Sequence, residues 1–143
     1  MKRLHVGMES LMSRHRIWLR GRRIGLVSHQ AAVDYSGRPS SDILAGDRRI
    51  RLSCLFAPEH GFFGAAAAGA QLSTMLHPAY RIPVFSLYGT TRKPTPRMLS
   101  GIDTIVFDIQ DIGARPYTYV STLRLVLEAA AAEGKEVIVA DRP

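Results

Sequence analysis

With 143 residues and 46% apolar content the chain can bury one ordinary core, which excludes a disordered or fibrous protein. Its formal charge of +7 raises nucleic acid as a partner, yet seven of the nineteen basic residues (Lys2, Arg3, Arg14, Arg16, Arg20, Arg22 and Arg23) crowd into the first 23 positions. The excess is therefore local: a solvated helix face, a surface meant for a partner, or a polyanion site.

The opening MKRLHVGMESLMSRHRIWLR is charged and lacks an uninterrupted apolar h-region. No later stretch is long enough to span a bilayer, so the expectation is a cytoplasmic chain, without a membrane partner, or a piece of a longer exported precursor. Residues 8–19 are a helix candidate. RIGLV (23–27) then has strand character, residues 41–45 suit a short helix, and RLSCLF (51–56) is a second strand that buries Cys54 as a small apolar thiol. As the single cysteine, it excludes an intrachain disulfide and a thiolate metal cluster.

PVFSL (83–87) is a third strand. TPRMLSG follows as a short helix in which Thr95 caps, Pro96 takes the first turn and Gly101 terminates. TIVFDI (104–109) is the fourth strand. The long helix spans residues 117–133, with Val120, Leu123, Leu127 and Ala130 on its core face, Pro116 at its first position and Gly134 just past its end. EVIVA (136–140) is the fifth strand. Strands alternate with helices and are apolar on both faces, so the expected fold is α/β: one domain with an open, mostly parallel sheet of about five strands, Rossmann-like and flanked by helices.

Parallel strands joined by right-handed crossovers end along one edge, where open α/β sheets bind ligands. The residues just past those ends are Ser28-His29-Gln30, Pro58-Glu59-His60-Gly61, Tyr88-Gly89, Asp108-Gln110-Asp111 and Asp141-Arg142. Loops are polar in any case, which accounts for part of this clustering. No glycine-rich dinucleotide or P-loop fingerprint occurs, nor an H-E-x-x-H or G-x-S-x-G motif, and the five histidines lack metal-ligand spacing. No cofactor and no metal are expected, and no nucleic-acid recognition motif accompanies the basic charge.

Two segments carry candidate chemistry. In LFAPEHGFFG a strand delivers Glu59 and His60 into a turn that Pro58 stiffens and Gly61 frees; a carboxyl beside Phe62 and Phe63 suits a general acid, and a solvated turn explains the same spacing. In IVFDIQDIGARPYTY, Asp108 and Asp111 point into one cleft only if the chain turns between them, which Gly113 permits. Arg115 is placed to pair with Asp111 or with an anionic ligand. Tyr117 and Tyr119 cannot share a helix face, so one packs on the sheet and the other lines the cleft, where a ring can stack on a sugar. Arg92 and Lys93 bring a basic loop to the same edge.

Taken in order, LVSHQAAVD, LFAPEHGFFG, PVFSLYGTTRKPTPRML, GIDTIVFDIQDIGARPYTYVSTLRLVLEAAA and VIVADRP resemble the N-terminal part of the exo-β-N-acetylmuramidase (DUF1343) family from about Gly21 to Pro143. The resemblance implies a glycoside hydrolase that releases N-acetylmuramic acid from the non-reducing end of peptidoglycan fragments. It further implies Glu59 as the catalytic acid, with Asp111 or Asp108 orienting the substrate's 2-acetamido group for substrate-assisted attack. His29, His60, Gln110, Arg115 and Tyr119 would shape the pocket, and Arg115 or Arg92 would receive the lactyl carboxylate. Two departures stand out. AAAAGAQ (65–71) replaces a segment where the family usually has acidic residues, and family sequences continue past DRP into a C-terminal domain. That leaves a homodimer, or a separate chain carrying that domain, as the expected partner besides the peptidoglycan-derived sugar. It also keeps two alternatives to an enzyme in play, a non-catalytic muropeptide-binding domain and an inactive fragment.

Overall fold

In the computed structural model, which describes residues 4–64, 74–115 and 118–142, the expected alternation folds into one six-stranded sheet. The strands are β1 (Arg23–Ser28), β2 (Arg51–Ala57), β3 (Met75–Leu76), β4 (Pro83–Ser86), β5 (Thr104–Asp108) and β6 (Glu136–Val139), in the spatial order β3-β4-β2-β1-β5-β6. All pairings are parallel except β3 with β4. β3 is the strand that sequence reading misses: two exposed residues are too few to show alternation.

Side-chain alternation explains why the central strands are apolar throughout. Leu26, Leu55 and Val106 face a core shared with α1 (Gly7–Arg14) and α2 (Ser40–Gly46), whereas Val27, Phe56, Ile105 and Phe107 face a second core with α3 (Pro96–Leu99) and α4 (Tyr119–Ala132). Each such fully buried side chain contributes roughly 1.5–3 kcal/mol relative to exposure. Two helical layers thus sandwich the sheet.

The N-terminal helix breaks at His15, and a 3-10 turn over Arg16–Leu19 continues it to β1. Thr95 caps α3, its hydroxyl accepting the Met98 N–H at 3.4 Å, with Pro96 in the first turn. At the end of α4 Gly134 takes φ +61, so that the Gly134 and Lys135 amides donate to the carbonyls of Ala131 and Ala130, a Schellman closure. The expected Pro116 start and Tyr117 lie outside the described residues, as does the AAAAGAQ segment. One expectation is corrected in part: Ala130 is buried and Leu123 packs half-buried against the core, but Val120 and Leu127 are exposed, and α4 also buries Tyr119, Thr122, Val126 and Ala129. The buried stripe is offset by one residue from the expected one, so Tyr119, Thr122 and Val126 face inward while Val120 and Leu127 share the outer side with Ser121, Arg124 and Glu128.

Candidate functional site

From β1 the chain runs outward through β2 and β4 on one side and through β5 and β6 on the other, so the order reverses between β1 and β5. Crevices form at such switch points outside the C-terminal strand ends. Asp108 stands there, paired in register with Ser28, and His29 is the next residue after that pair.

Asp108 is fully buried and fully engaged. Arg142 grips it with Nε to Oδ1 at 2.6 Å and Nη2 to Oδ2 at 3.0 Å, and the Ser40 hydroxyl donates to Oδ2 as well. The same guanidinium donates to the Val33 carbonyl at 2.9 Å. This bidentate pair ties the β5 end to the segment after β6 and to the loop before α2. The geometry makes Asp108 a tie across the switch point, with both oxygens already spoken for.

His29 is 8% exposed, and its ring stacks on Tyr119 at 5.3 Å. Nδ1 accepts the Ala31 N–H at 3.0 Å, which leaves the ring proton on Nε2. Burial pushes the His29 pKa down against the pull of Asp108, and Arg142 adds to the depression. The neutral ring therefore holds a buried Nε2 donor without a protein partner among the described residues. Next to it Gln30 is exposed and its amide lies against Gly64, bringing the β1 turn to the PEHG turn.

In that turn His60 and Gly61 both have positive φ, +69 and +78, and the Gly61 amide closes onto the Pro58 carbonyl at 3.0 Å. A left-handed histidine is uncommon and concentrates at functional turns. Half-buried Glu59 accepts a hydrogen bond from the Thr118 hydroxyl at 3.0 Å, on Oε2. Glu59 also lies against the Tyr88 phenol, and its influence together with burial pushes the phenol pKa up. Arg92 lies over the Tyr88 ring, 5.4 Å from its centroid. Lys93 instead pairs with Glu128 on α4 at 3.3 Å.

Gly113, with φ +70, makes the expected turn after β5, and its amide donates to Asp111 Oδ1 at 2.7 Å. Asp111 Oδ2 is buried and lacks a hydrogen-bond partner among the described residues. It borders a recess of about 140 Å3 whose walls include Phe107, Ile109, Tyr119 and Val120. Of the two alternatives for Arg115, the ion pair with Asp111 is not formed: among the described residues no salt bridge joins them, and Arg115 is exposed, as is Gln110.

The structure thus brings Glu59, Thr118, Tyr88 and Arg92 into one contact chain and His29, Tyr119 and Asp111 into its neighbourhood. Thr118, Ser40 and Arg142 were not legible as partners. Thr118 lies 59 residues from Glu59, and Arg142 lies 34 from Asp108. Tyr88 carried one signal, its place just past a strand end.

Residues 24–143 match the family model described as exo-beta-N-acetylmuramidase NamZ, N-terminal. The chain is 43% identical over 141 residues to peptidoglycan beta-N-acetylmuramidase NamZ of Bacillus subtilis (strain 168), covering 99% of this chain and 34% of that protein. Among solved structures, a DUF1343 family protein of Bacteroides fragilis superposes with TM-score 0.87 at 43% identity over 97% of this chain, and a second from the same organism with TM-score 0.80 at 26% identity over 99%. The chain spans about a third of the length of each of these relatives (34%, 34% and 35%).

Proposed function

The chain belongs to the exo-beta-N-acetylmuramidase NamZ N-terminal family, and we propose that it forms the half of a muramidase site that carries the catalytic acid. The observation that carries this reading is Glu59, delivered by β2 to the ligand-binding edge, held by the Thr118 hydroxyl and set beside the Tyr88 phenol. The proposed substrate is a β-linked N-acetylmuramic acid at the non-reducing end of a peptidoglycan fragment.

Glu59 donates its proton to the glycosidic oxygen as the bond from that oxygen to C1 breaks. The acetamido carbonyl oxygen closes on C1 from the opposite face, and water then opens the resulting ring while its proton returns to Glu59. Asp111 is better suited than Asp108 to orient the acetamido N–H, because its Oδ2 is an unused buried acceptor whereas both Asp108 oxygens are taken. The His29 Nε2 donor and the Tyr119 ring offer a hydrogen bond and a stacking face to the sugar. Arg92, which reaches Glu59 through Tyr88, and Arg115, both exposed, are the cations offered to the lactyl carboxylate.

A chromogenic β-N-acetylmuramide tests this with the purified chain beside its Glu59→Gln variant. Release that falls by at least about a hundredfold in the variant supports the acid role; equal release by both removes it. A second reading, binding without catalysis, is favoured by AAAAGAQ (65–71) standing where the family usually has acidic residues. It predicts no release by either form and saturable calorimetric binding of N-acetylmuramic acid by both.

A further inference from the structure

Two arginines of the basic N-terminal stretch, Arg16 and Arg20, lie apart from the sugar site and line a groove with three later arginines. A cavity of about 490 Å3 opens between α1, the 3-10 turn and the end of α2, where Arg16, Arg38, Arg48 and Arg49 surround an apolar wall of Met12 and Ile43. A recess of about 140 Å3 beside it is lined by Arg20 and again by Arg16 and Arg49. Sharing two walls, they make one groove in which five guanidinium groups face a single lining carboxylate, Asp47.

Asp47 does not neutralise this groove; it braces it. Arg49 binds it bidentately at 3.0 and 3.2 Å, and Arg16 approaches the same carboxylate at 3.5 Å while its Nε donates to the Met12 carbonyl at 3.1 Å. Arg38 pairs with Asp34 at 3.4 Å. Among the described residues Arg20 and Arg48 have no ion pair. Two guanidinium groups are thus fixed in orientation and two are left unpaired, an arrangement already organised for an anion.

The residue type narrows that anion. The arginines come from three chain segments and no lysine joins them, so donors converge from several directions. A planar carboxylate is satisfied by one such fork, whereas a tetrahedral phosphate has acceptors on every side. Two recesses with shared walls seat more than one such group. We propose that this groove binds ligands carrying two or more linked phosphates, a function separate from the sugar chemistry at the strand edge.

Calorimetric titration with inorganic tripolyphosphate, beside orthophosphate, citrate and phosphatidylglycerol vesicles, tests it. The expected result is one saturable site for tripolyphosphate, at least about tenfold tighter than for orthophosphate or citrate and weakening as salt is raised. Arg48→Ala should cost about tenfold, while Arg124→Ala, the same charge change on the far helix α4, should cost nothing. Arg48 is exposed and unpaired, so its loss leaves the fold intact, which circular dichroism verifies. Equal binding of citrate, equal effects of the two variants, or no saturable binding would each overturn the proposal. Binding to vesicles but not to tripolyphosphate would overturn it too, in favour of a membrane-facing surface.

Discussion

Asp108 illustrates how a single residue can be conspicuous in sequence and misleading about its role. A carboxylate closing an apolar strand signals either a site or a structural pair, because an unpartnered charge is costly to bury. Its partner Arg142 comes after the next helix and strand, so only tertiary structure shows which. Both side chains are nearly inaccessible, 0% and 7% exposed, and low local polarity makes the bidentate pair and its Ser40 bond strong. Asp108→Asn would leave the Arg142 guanidinium buried against a neutral amide. The expected loss is about 3–5 kcal/mol of stability, read from urea midpoints. A variant of unchanged midpoint would show that Arg142 finds another partner. Glu59 is the converse: its turn was legible through Pro58 and Gly61, but the hydroxyl groups beside it, those of Thr118 and Tyr88, were not, since neither lies near it in the chain.

The elements were most legible where local chemistry and packing agree. Thr95-Pro96 starts α3 and Gly134 closes α4 as their residue types dictate, whereas the buried face of α4 was only partly legible, because apolar residues on adjacent stripes of one helix leave its rotation open by one residue. In β1 it is size that decides. Gly25 sits mid-strand at a shift in the β1–β2 register, an unpromising place for a residue with high conformational entropy. The reason is packing: a Cβ there would come within 2.8 Å of Ile102 Cδ1, 2.9 Å of Phe56 Cε2 and 3.2 Å of Cys54 Sγ. Gly25→Ala should therefore destabilise by about 1–3 kcal/mol through overpacking. Gly46, the last residue of α2, has open space at its Cβ position, so Gly46→Ala should be neutral or stabilise by up to about 1 kcal/mol. Equal midpoints for the two variants would refute the packing explanation.

At the scale of the molecule, the alternation of strands and helices foretold the layered sheet, and the sheet in turn places His29 and the PEHG turn at one edge. What no local pattern foretold is how deeply some titratable groups sink. His29 and His77 are both less than a tenth exposed, and burial is the main cause pushing each below the ordinary 6.5; Asp108 opposes it at His29, with Arg142 reinforcing it, and Asp42 opposes it at His77. His77 is further fixed by stacking on Tyr80 at 4.0 Å and by accepting the Ala79 and Tyr80 amides on Nδ1. In the unfolded chain both rings take up a proton as pH falls through about 6.5, while in the folded protein they resist. The unfolded state then binds more protons, so stability must fall as pH drops, by at most about 1.4 kcal/mol per pH unit for each ring. Carboxylates do not confuse this window. Asp34 and Asp47 are held below the usual range, mainly by hydrogen bonds from Arg38 and Arg49 respectively, and Asp103 by those from Arg23, so their contribution persists until the pH falls below about 4. Urea midpoints measured at pH 7.5, 6.5 and 5.5 should decline, and His77→Gln should shallow the decline even though it lowers the midpoint at pH 7.5. A midpoint that stays level down to pH 5.5 would mean that the folded protein protonates both rings as readily as the unfolded chain does.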